Sequence, residues 1–503
     1  MGIPGLYQEI GPGKRVALVK LAIEKYEETG RPLRIAIDTS IWLFQVRAAQ
    51  GPALQTLYYR LLRLLSVSVQ PLFIFDGANK PLMKRNKHTA PGGMSILDIK
   101  FKQLLNHFGF PYHTAPGEAE AECALLQREG IADAVLSEDV DTLVFGCGLT
   151  LRNWSSESSK GKVPTHVNVY DAQATKQGKS GLDPEGMILV ALLSGGDYDT
   201  NGVTGFGAKI ACEAARAGFG KSLCRISRTD AAGYAKWRER FNCEVQTNES
   251  KHFKSKHKSL KLPEIFPKLD ILGYYTNPVV SDARGVAKLR DELTWEGEID
   301  IVGLRQFVAE AFGWKYKAGA MKLIRGLAPV LLAHKLRLRG DRRASGYNDP
   351  ILTAMNEMEL VSSICGKRAH FATDALPEIR VIFHPNDIVG LDIEAEEDIT
   401  RDYRRDSLAP LLEDDEVEAY VANNTTAGSA SPSKRVRLAY DPIQPEKVWI
   451  AQTIVKAGVP LKVEDYEESL RNPKKLIRQN TKEKQAAAAA KKVASKKPAL
   501  VVP

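Results

Sequence analysis

Apolar positions fall in short unbroken runs along the first third of the chain. Residues 33–38 (LRIAID), 71–76 (PLFIFD) and 132–137 (ADAVLS) read as short apolar strands. Helix-length segments separate them at 54–66, 98–107 and 117–129. Apolar strands alternating with helices imply an α/β fold around a parallel sheet. Residues 166–171 (HVNVYD) read as a further strand, and from about 184 to 340 the pattern is mainly helical. Residues 378–383 (EIRVIF) then read as a strand of a smaller module, and 446–457 (EKVWIAQTIVKA) as an amphipathic helix. Between them lie an acidic irregular stretch (394–417) and a flexible insertion, NNTTAGSASPS (423–433).

Length adds that 503 residues exceed one compact core, so two or three domains are expected. No signal peptide and no apolar run of membrane-spanning length are seen. The six cysteines form no CxxC pair and no zinc-type cluster, so reduced structural thiols of the cytosol or nucleus are expected. The net charge of +9 is unevenly spread: residues 472–498 carry nine Lys/Arg against one acid. Further basic runs stand at 251–261, 335–343 and 434–437. Such runs favour a polyanion, although each alone is ordinarily a solvated loop.

The acids change the picture more. The first two strand runs end in Asp38 and Asp76, and the third runs into SEDVDTLVFG with Asp139 and Asp141. Asp197 follows an apolar helix, and APGEAEAEC (115–123) opens another with Glu118, Glu120 and Glu122. Ligands of open α/β sheets bind beyond the carboxyl ends of the strands. One acid there is usually a turn residue; this many would repel and raise one another's pKa values unless a divalent cation joined them. Oxygen ligands without His or Cys favour Mg²⁺ or Mn²⁺. Two such ions about 4 Å apart suit phosphodiester hydrolysis. Helical periodicity alone does not choose among the three glutamates, because Glu118 and Glu122 share a face and Glu120 lies roughly 200° away.

MGIPGLYQEI, AIDTSIWLF, FIFDG, APGEAEAECALL, SEDVDTLVFG and LLSGGDYDTNGVTGFGAKIACEAA come in this order. Over residues 1–340 the chain thereby resembles the flap endonuclease/XPG superfamily of structure-specific DNA nucleases. The resemblance implies a PIN-like α/β core with a twisted parallel sheet, helices on both faces and two metal ions. It marks Asp38, Asp76, Glu118, Glu120, Asp139, Asp141 and Asp197 as metal-binding and catalytic acids, and leaves Glu122 as a surface or supporting acid. Lys84 and Arg85 resemble the basic pair at the scissile phosphate, with Lys87 as the alternative in that register. Gly2 would lie near the active site. GVTGFGAKIACEAA (202–215) resembles the helix–two-turns–helix element, in which Gly202, Gly205, Gly207 and Lys209 would meet duplex phosphates and a K⁺ ion would sit.

Three features bear on the branch. Only 41 residues separate Asp76 from Glu118, too few for a closed helical arch that threads a flap. No sliding-clamp peptide is seen. EIRVIFHPNDIVGLDI (378–393) and EKVWIAQTIVKAGVPLKVEDYEES (446–469) resemble the chromodomain of GEN-type Holliday junction resolvases of eukaryotic, fungal kind. The organisation expected is a nuclease core at 1–345 with the helix–two-turns–helix near 192–220. A chromodomain-like β+α module at 346–469, with a polar insertion near 394–440, and a basic disordered tail at 470–503 follow. The resemblance implies paired symmetric nicks across four-way junctions by a homodimer that is monomeric in isolation, with cutting of 5′ flaps and forks. It also implies that the basic runs touch the DNA arms. The rivals are a 5′-flap endonuclease or 5′ exonuclease, a PIN-type ribonuclease, and a non-catalytic DNA- or chromatin-binding protein. SPSKRVRL (431–438) points to the nucleus, with a cytoplasmic phase of the cell cycle as the variant. His113, His334, Phe383 and Trp449 are expected to be structural.

Overall fold

The computed structural model describes residues 2–48, 51–81, 83–85, 87–88, 95–157, 163–344, 350–398 and 440–471. Seven strands form the main sheet: Lys14–Ala17 (β1), Leu33–Asp38 (β2), Val69–Phe75 (β3), Tyr112–Thr114 (β6), Ala134–Leu136 (β7), Leu149–Ser155 (β8) and His166–Asp171 (β9). Met83–Lys84 (β4) and Lys87–His88 (β5) make a separate small hairpin. The sheet order is β1-β9-β8-β7-β2-β3-β6. The pairs from β8 through β6 are parallel, whereas β9 runs antiparallel to both β8 and β1. The sheet is therefore mixed, not wholly parallel. β8 and β9 are joined by a short connection, which can only return the chain antiparallel.

The central strands are buried on both faces because their side chains alternate between two cores. Ile35, Ile37, Phe73 and Phe75 join one cluster with helix Ala53–Ser66 and the long helix Lys317–Ala344. Ala36, Leu72 and Ile74 join the other with helices Ala119–Arg128 and Pro184–Ser194. This two-sided burial explains why those strands read as unbroken apolar runs.

The C-terminal module is a three-stranded antiparallel sheet of Ser363–Ala369 (β10), Pro377–Phe383 (β11) and Glu446–Ala451 (β12). The amphipathic helix expected over 446–457 is corrected here. Its first half is β12, and only Gln452–Gly458 is helical. In EKVWIA the buried Val448 and Ile450 alternate with outward Lys447 and Trp449, a period of two. β11 supplies a six-pair ladder from Glu378↔Ala451 to Phe383↔Glu446. Val381, Phe383, Val448, Ile450 and Val455 enter the same apolar cluster as Leu327 and Leu331 of the long helix. Phe383 is thus a core residue, and burial first, then Arg337, pushes half-buried His334 down to about 4. Two glycines allow the close approach: a Cβ on Gly340 would stand 2.6 Å from Ala457 Cβ, and one on Gly458 2.7 Å from Leu336 O.

Of the 41 residues between Asp76 and Glu118, the described part holds the β4–β5 hairpin, helix Ile96–His107 and β6. That helix opens with a Ser95/Asp98 capping box. Pro91-Gly92-Gly93, the insertion at 423–433, SPSKRVRL and the tail from 472 lie outside the described residues. Among the described residues, no helix is long and apolar enough to cross a membrane.

Candidate active site

Topology brings all seven predicted acids to one end of the sheet. Asp38 ends β2, and Asp76 follows β3. Asp139 and Asp141 follow β7, with Asp141 opening the short helix Asp141–Val144. Asp197 follows helix Pro184–Ser194. Glu118 is the N-cap of helix Ala119–Arg128 in extended backbone (φ −81°, ψ 136°), and Glu120 lies in its first turn. The Asp76 carboxylate secures that helix start by accepting from Ala119 N at 2.9 Å.

The three glutamates divide by their contacts. Glu118 precedes the helix, so ideal helical angles do not apply to it. Glu118 and Glu120 both meet Lys84. Glu122 is fully buried and points elsewhere: it takes His113 Nε2 at 3.1 Å and Ser281 N at 2.9 Å. It is not a surface acid, and His113 is its structural partner.

Electrostatics follow from crowding. Burial first, then Asp76 and Asp139, raises Asp38 to about 7. Burial and neighbouring acids push Glu120 and Asp141 well above the usual carboxylate range. Burial acts the same way on Asp197, but its bonds with Arg85 and Lys84 prevail and hold it below that range. Lys84 Nζ donates to Glu118 Oε1 at 3.0 Å and to Glu120, and stands 3.3 Å from Asp197 Oδ2. Arg85 clamps Asp197 with Nε at 2.7 Å and Nη2 at 2.6 Å, and reaches Asp139 Oδ2 at 3.1 Å. Its own N–H donates to Asp197 O at 2.7 Å, and its left-handed backbone (φ 54°) turns the hairpin into the cluster. The sequence register thus placed Lys84 and Arg85 at the acids; Lys87 lies in β5, with its side chain outside the described residues.

A divalent cation fits this donor set. Carboxylate oxygens of Glu120, Asp141 and Asp197 lie within 4.8 Å of one another. Both Asp141 oxygens are buried with no hydrogen-bond partner, although buried acids ordinarily have one. All donors are hard oxygens.

Gly2 (φ 82°) packs on the cluster, where a Cβ would come within 2.4 Å of Asp139 Oδ1 and 2.7 Å of Asp141 Oδ1. The helix–two-turns–helix glycines divide by role. Gly202 (φ 57°) lies against Leu193 O, and Gly205 (φ 89°) against Leu260. Gly207 faces open space as N-cap of helix Ala208–Arg216, with exposed Lys209 in the first turn. The basic run 251–261 packs beside this turn through Leu260 and through Lys254 N, which donates to Glu213 Oε2 at 3.2 Å. Lys251, Lys254, Lys256, Lys258 and Lys261 are all exposed. The run 335–343 is engaged within the protein in part, while its Arg342 is exposed. Lys335 Nζ donates to Ile388 O at 2.7 Å, and buried Arg337 pairs with Glu296 and Asp341. Of these contacts, the one from Lys335 ties the long helix to the C-terminal module.

Two partners of the acids were not read from the sequence. The Tyr198 hydroxyl donates to Glu118 Oε2. Ser137 Oγ donates to Asp38 Oδ2 at 3.1 Å and accepts from Asp139 N at 3.1 Å. Tyr198 adjoins Asp197 in GGDYD, and Ser137 opens SEDVD, so proximity to an acid was the available signal.

Comparison with known proteins agrees with this geometry. Residues 1–90 match the XPG N-terminal domain, 109–197 the XPG I-region, and 360–469 the Holliday junction resolvase Gen1 C-terminal domain. The chain is 28% identical over 340 residues to flap endonuclease 1 of Eremothecium gossypii, covering 58% of this chain and 80% of that one. It is 30% identical over 248 residues to mouse flap endonuclease GEN homolog 1, covering 44% of this chain but only 26% of that relative. Among solved structures, a eukaryotic junction-resolving enzyme GEN-1 with potassium aligns at 44% identity and TM-score 0.75, and a Holliday junction-resolving GEN1 with product DNA and Mg²⁺ at 45% and 0.74. Each alignment covers 93% of this chain and all of the other. The chain belongs to the GEN-type junction-resolving branch of the flap endonuclease/XPG nuclease superfamily.

Proposed function

We propose that this protein is a Mg²⁺-dependent structure-specific endonuclease that resolves four-way DNA junctions by paired nicks and also cuts 5′ flaps and forks. The observation that carries it is the convergence of Asp38, Asp76, Glu118, Glu120, Asp139, Asp141 and Asp197 at one sheet end with Lys84 and Arg85 among them. Glu120, Asp141 and Asp197 would hold one cation, with the remaining acids completing a second site. Two Mg²⁺ ions, or Mn²⁺ in their place, supply an activated water and stabilise the leaving oxygen.

The chain's own residues do the rest. Burial alone would push Lys84 down, but Glu120 and Glu118 outweigh it and hold its pKa well above the ordinary value, so it keeps its proton and faces a phosphate as a cation. Arg85 has the planar fork suited to a phosphate. Gly207, Lys209 and the 251–261 lysines offer a backbone and cationic surface for the uncut duplex, and a K⁺ ion belongs with the glycine turn. Two copies acting on one junction would keep the nicks paired, the protein being monomeric before it meets DNA. The flap endonuclease reading is favoured less, because the segment between Asp76 and Glu118 is short and the C-terminal module matches the resolvase domain.

The test is cleavage in Mg²⁺ of an intact end-labelled four-way junction beside a 5′ flap and a plain duplex. Symmetric paired nicks giving ligatable duplexes are expected. Flap cutting with an untouched junction would move the assignment to a flap endonuclease, and no cutting in Mg²⁺ or Mn²⁺ would remove the catalytic reading.

A further inference from the structure

We propose that Tyr275 is a positioning residue of the acid cluster: its hydroxyl supplies a hydrogen bond on the Asp141–Asp197 side when a divalent cation is held there, and Glu122 anchors the segment that carries it. This rests on the metal-site reading above.

Tyr275 lies near the end of helix Leu269–Thr276 and is 3% exposed. Its ring stands edge-on to that of Tyr198, centroids 4.7 Å apart at 63°, and 6.3 Å from that of Phe145. Those two residues flank the acids: Tyr198 follows Asp197, and Phe145 N donates to Asp141 O. The hydroxyl presses on Gly196, where a Cβ would come within 2.5 Å of it. Glycine just before Asp197 therefore makes room for this hydroxyl. Burial first, then Asp141 and Asp197, raises the phenol's pKa well above its ordinary value, so it remains a donor.

The hydroxyl is buried without a hydrogen-bond partner, as are both oxygens of Asp141. Leaving a buried polar group unpaired destabilises the fold, and phenylalanine would pack the same ring without that cost. A buried hydroxyl kept against Gly196, one residue before Asp197, has a use once the cluster holds its ligand. Groups just outside a metal's direct ligands fix those ligands and tune affinity.

Glu122 explains how the segment is held. After the helix the chain passes Gly117, where a Cβ would come within 2.5 Å of Val279 O. It is then pinned by Ser281 N donating to Glu122 Oε2 at 2.9 Å. The other oxygen of Glu122 meets His113 Nε2 at 3.1 Å. The third glutamate of the motif thus ties β6, the glutamate-bearing helix and the Tyr275 segment together.

The test is calorimetric titration of the full-length metal-free protein with Ca²⁺, a non-catalytic oxygen-seeking probe, together with its unfolding temperature with and without Ca²⁺. Tyr275→Phe is expected to weaken Ca²⁺ about 10-fold or more, to shrink the Ca²⁺-induced rise in unfolding temperature, and to leave the metal-free unfolding temperature equal or higher. Glu122→Gln is expected to weaken Ca²⁺ as well, and the double variant to be no worse than Tyr275→Phe, since one residue acts through the other. Wild-type Ca²⁺ affinity in Tyr275→Phe would overturn the inference while leaving the nuclease reading standing, provided Asp141→Asn abolishes binding. Additive losses would overturn the role of Glu122. Absence of Ca²⁺ binding by the wild type would remove both readings.

Discussion

At Asp38 two unfavourable facts coincide: complete burial and two acidic neighbours. Its proton is held up to about 7, whereas an unfolded chain releases it near 4. The folded metal-free protein therefore binds more protons than the unfolded chain between those values. Stability from this group is present at low pH and lost as pH rises toward 7, the reverse of an ordinary ion-paired acid. Glu120 and Asp141 act in the same direction. Asp197, held low by Arg85 and Lys84, acts oppositely, and only in acid. A cation relieves the strain by competing with protons. Mg²⁺ should accordingly raise the unfolding temperature more at pH 8 than at pH 6, measured by scanning calorimetry. The cleavage rate should climb between pH 6 and 8, with its midpoint moving lower as Mg²⁺ is increased. A Mg²⁺ effect independent of pH would contradict this account. Asp141→Asn should reduce cleavage by roughly 100-fold or more while junction binding survives, because removing a preorganised charge-stabilising group costs about that much; band-shift and single-turnover assays separate the two. The acids were legible because most stand at a strand end or a helix start, and Asp197 follows an apolar helix. Tyr198, Ser137 and Tyr275 were not, because a hydroxyl carries no pattern of its own and its partner is fixed only by the fold.

Elements were legible where burial is two-sided. β2 falls on the expected residues because its two inner faces leave a continuous apolar run. β10 gives no such signal, since none of SICGKRA is fully buried. β1 and β6 are only four and three residues long. The stretch 446–457 misled because a strand with two buried positions followed at once by a helix imitates one amphipathic helix. What fixes the module is its close packing on the long helix, and this can be tested apart from the chemistry. Gly340→Leu would push a side chain into Ala457. Overpacking of this kind should lower stability by about 1–3 kcal/mol in urea unfolding. The Ca²⁺ affinity of the acid cluster, which lies on other elements, should stay unchanged. Unaltered stability would mean that the module does not rest on that contact.

For the whole molecule, charge is sorted by what covers it. Two basic runs look alike in sequence, yet 335–343 spends Lys335 and Arg337 on the protein itself. The run 251–261 instead displays five exposed lysines beside the open Gly207 turn. Its backbone is held by Leu260 under Gly205, by Lys254 N on Glu213, and by Asn248, whose side chain bonds both Phe253 N and Phe253 O. A fixed cationic loop of this kind binds duplex phosphates without reading sequence. Each phosphate neutralised contributes about −0.9 to the slope of log affinity against log salt. Replacing the five lysines with glutamine should therefore reduce that slope by as much as about 4.5 for a four-way junction. The rate at saturating enzyme should stay nearly constant, because none of the loop's lysines is among the groups that meet the acids. Lys335→Gln should leave the slope untouched. Fluorescence anisotropy across a KCl series measures both. Equal slopes for wild type and the five-lysine variant would show that the loop is merely solvated, and the duplex contact would then have to come from the glycine turn and Lys209 alone.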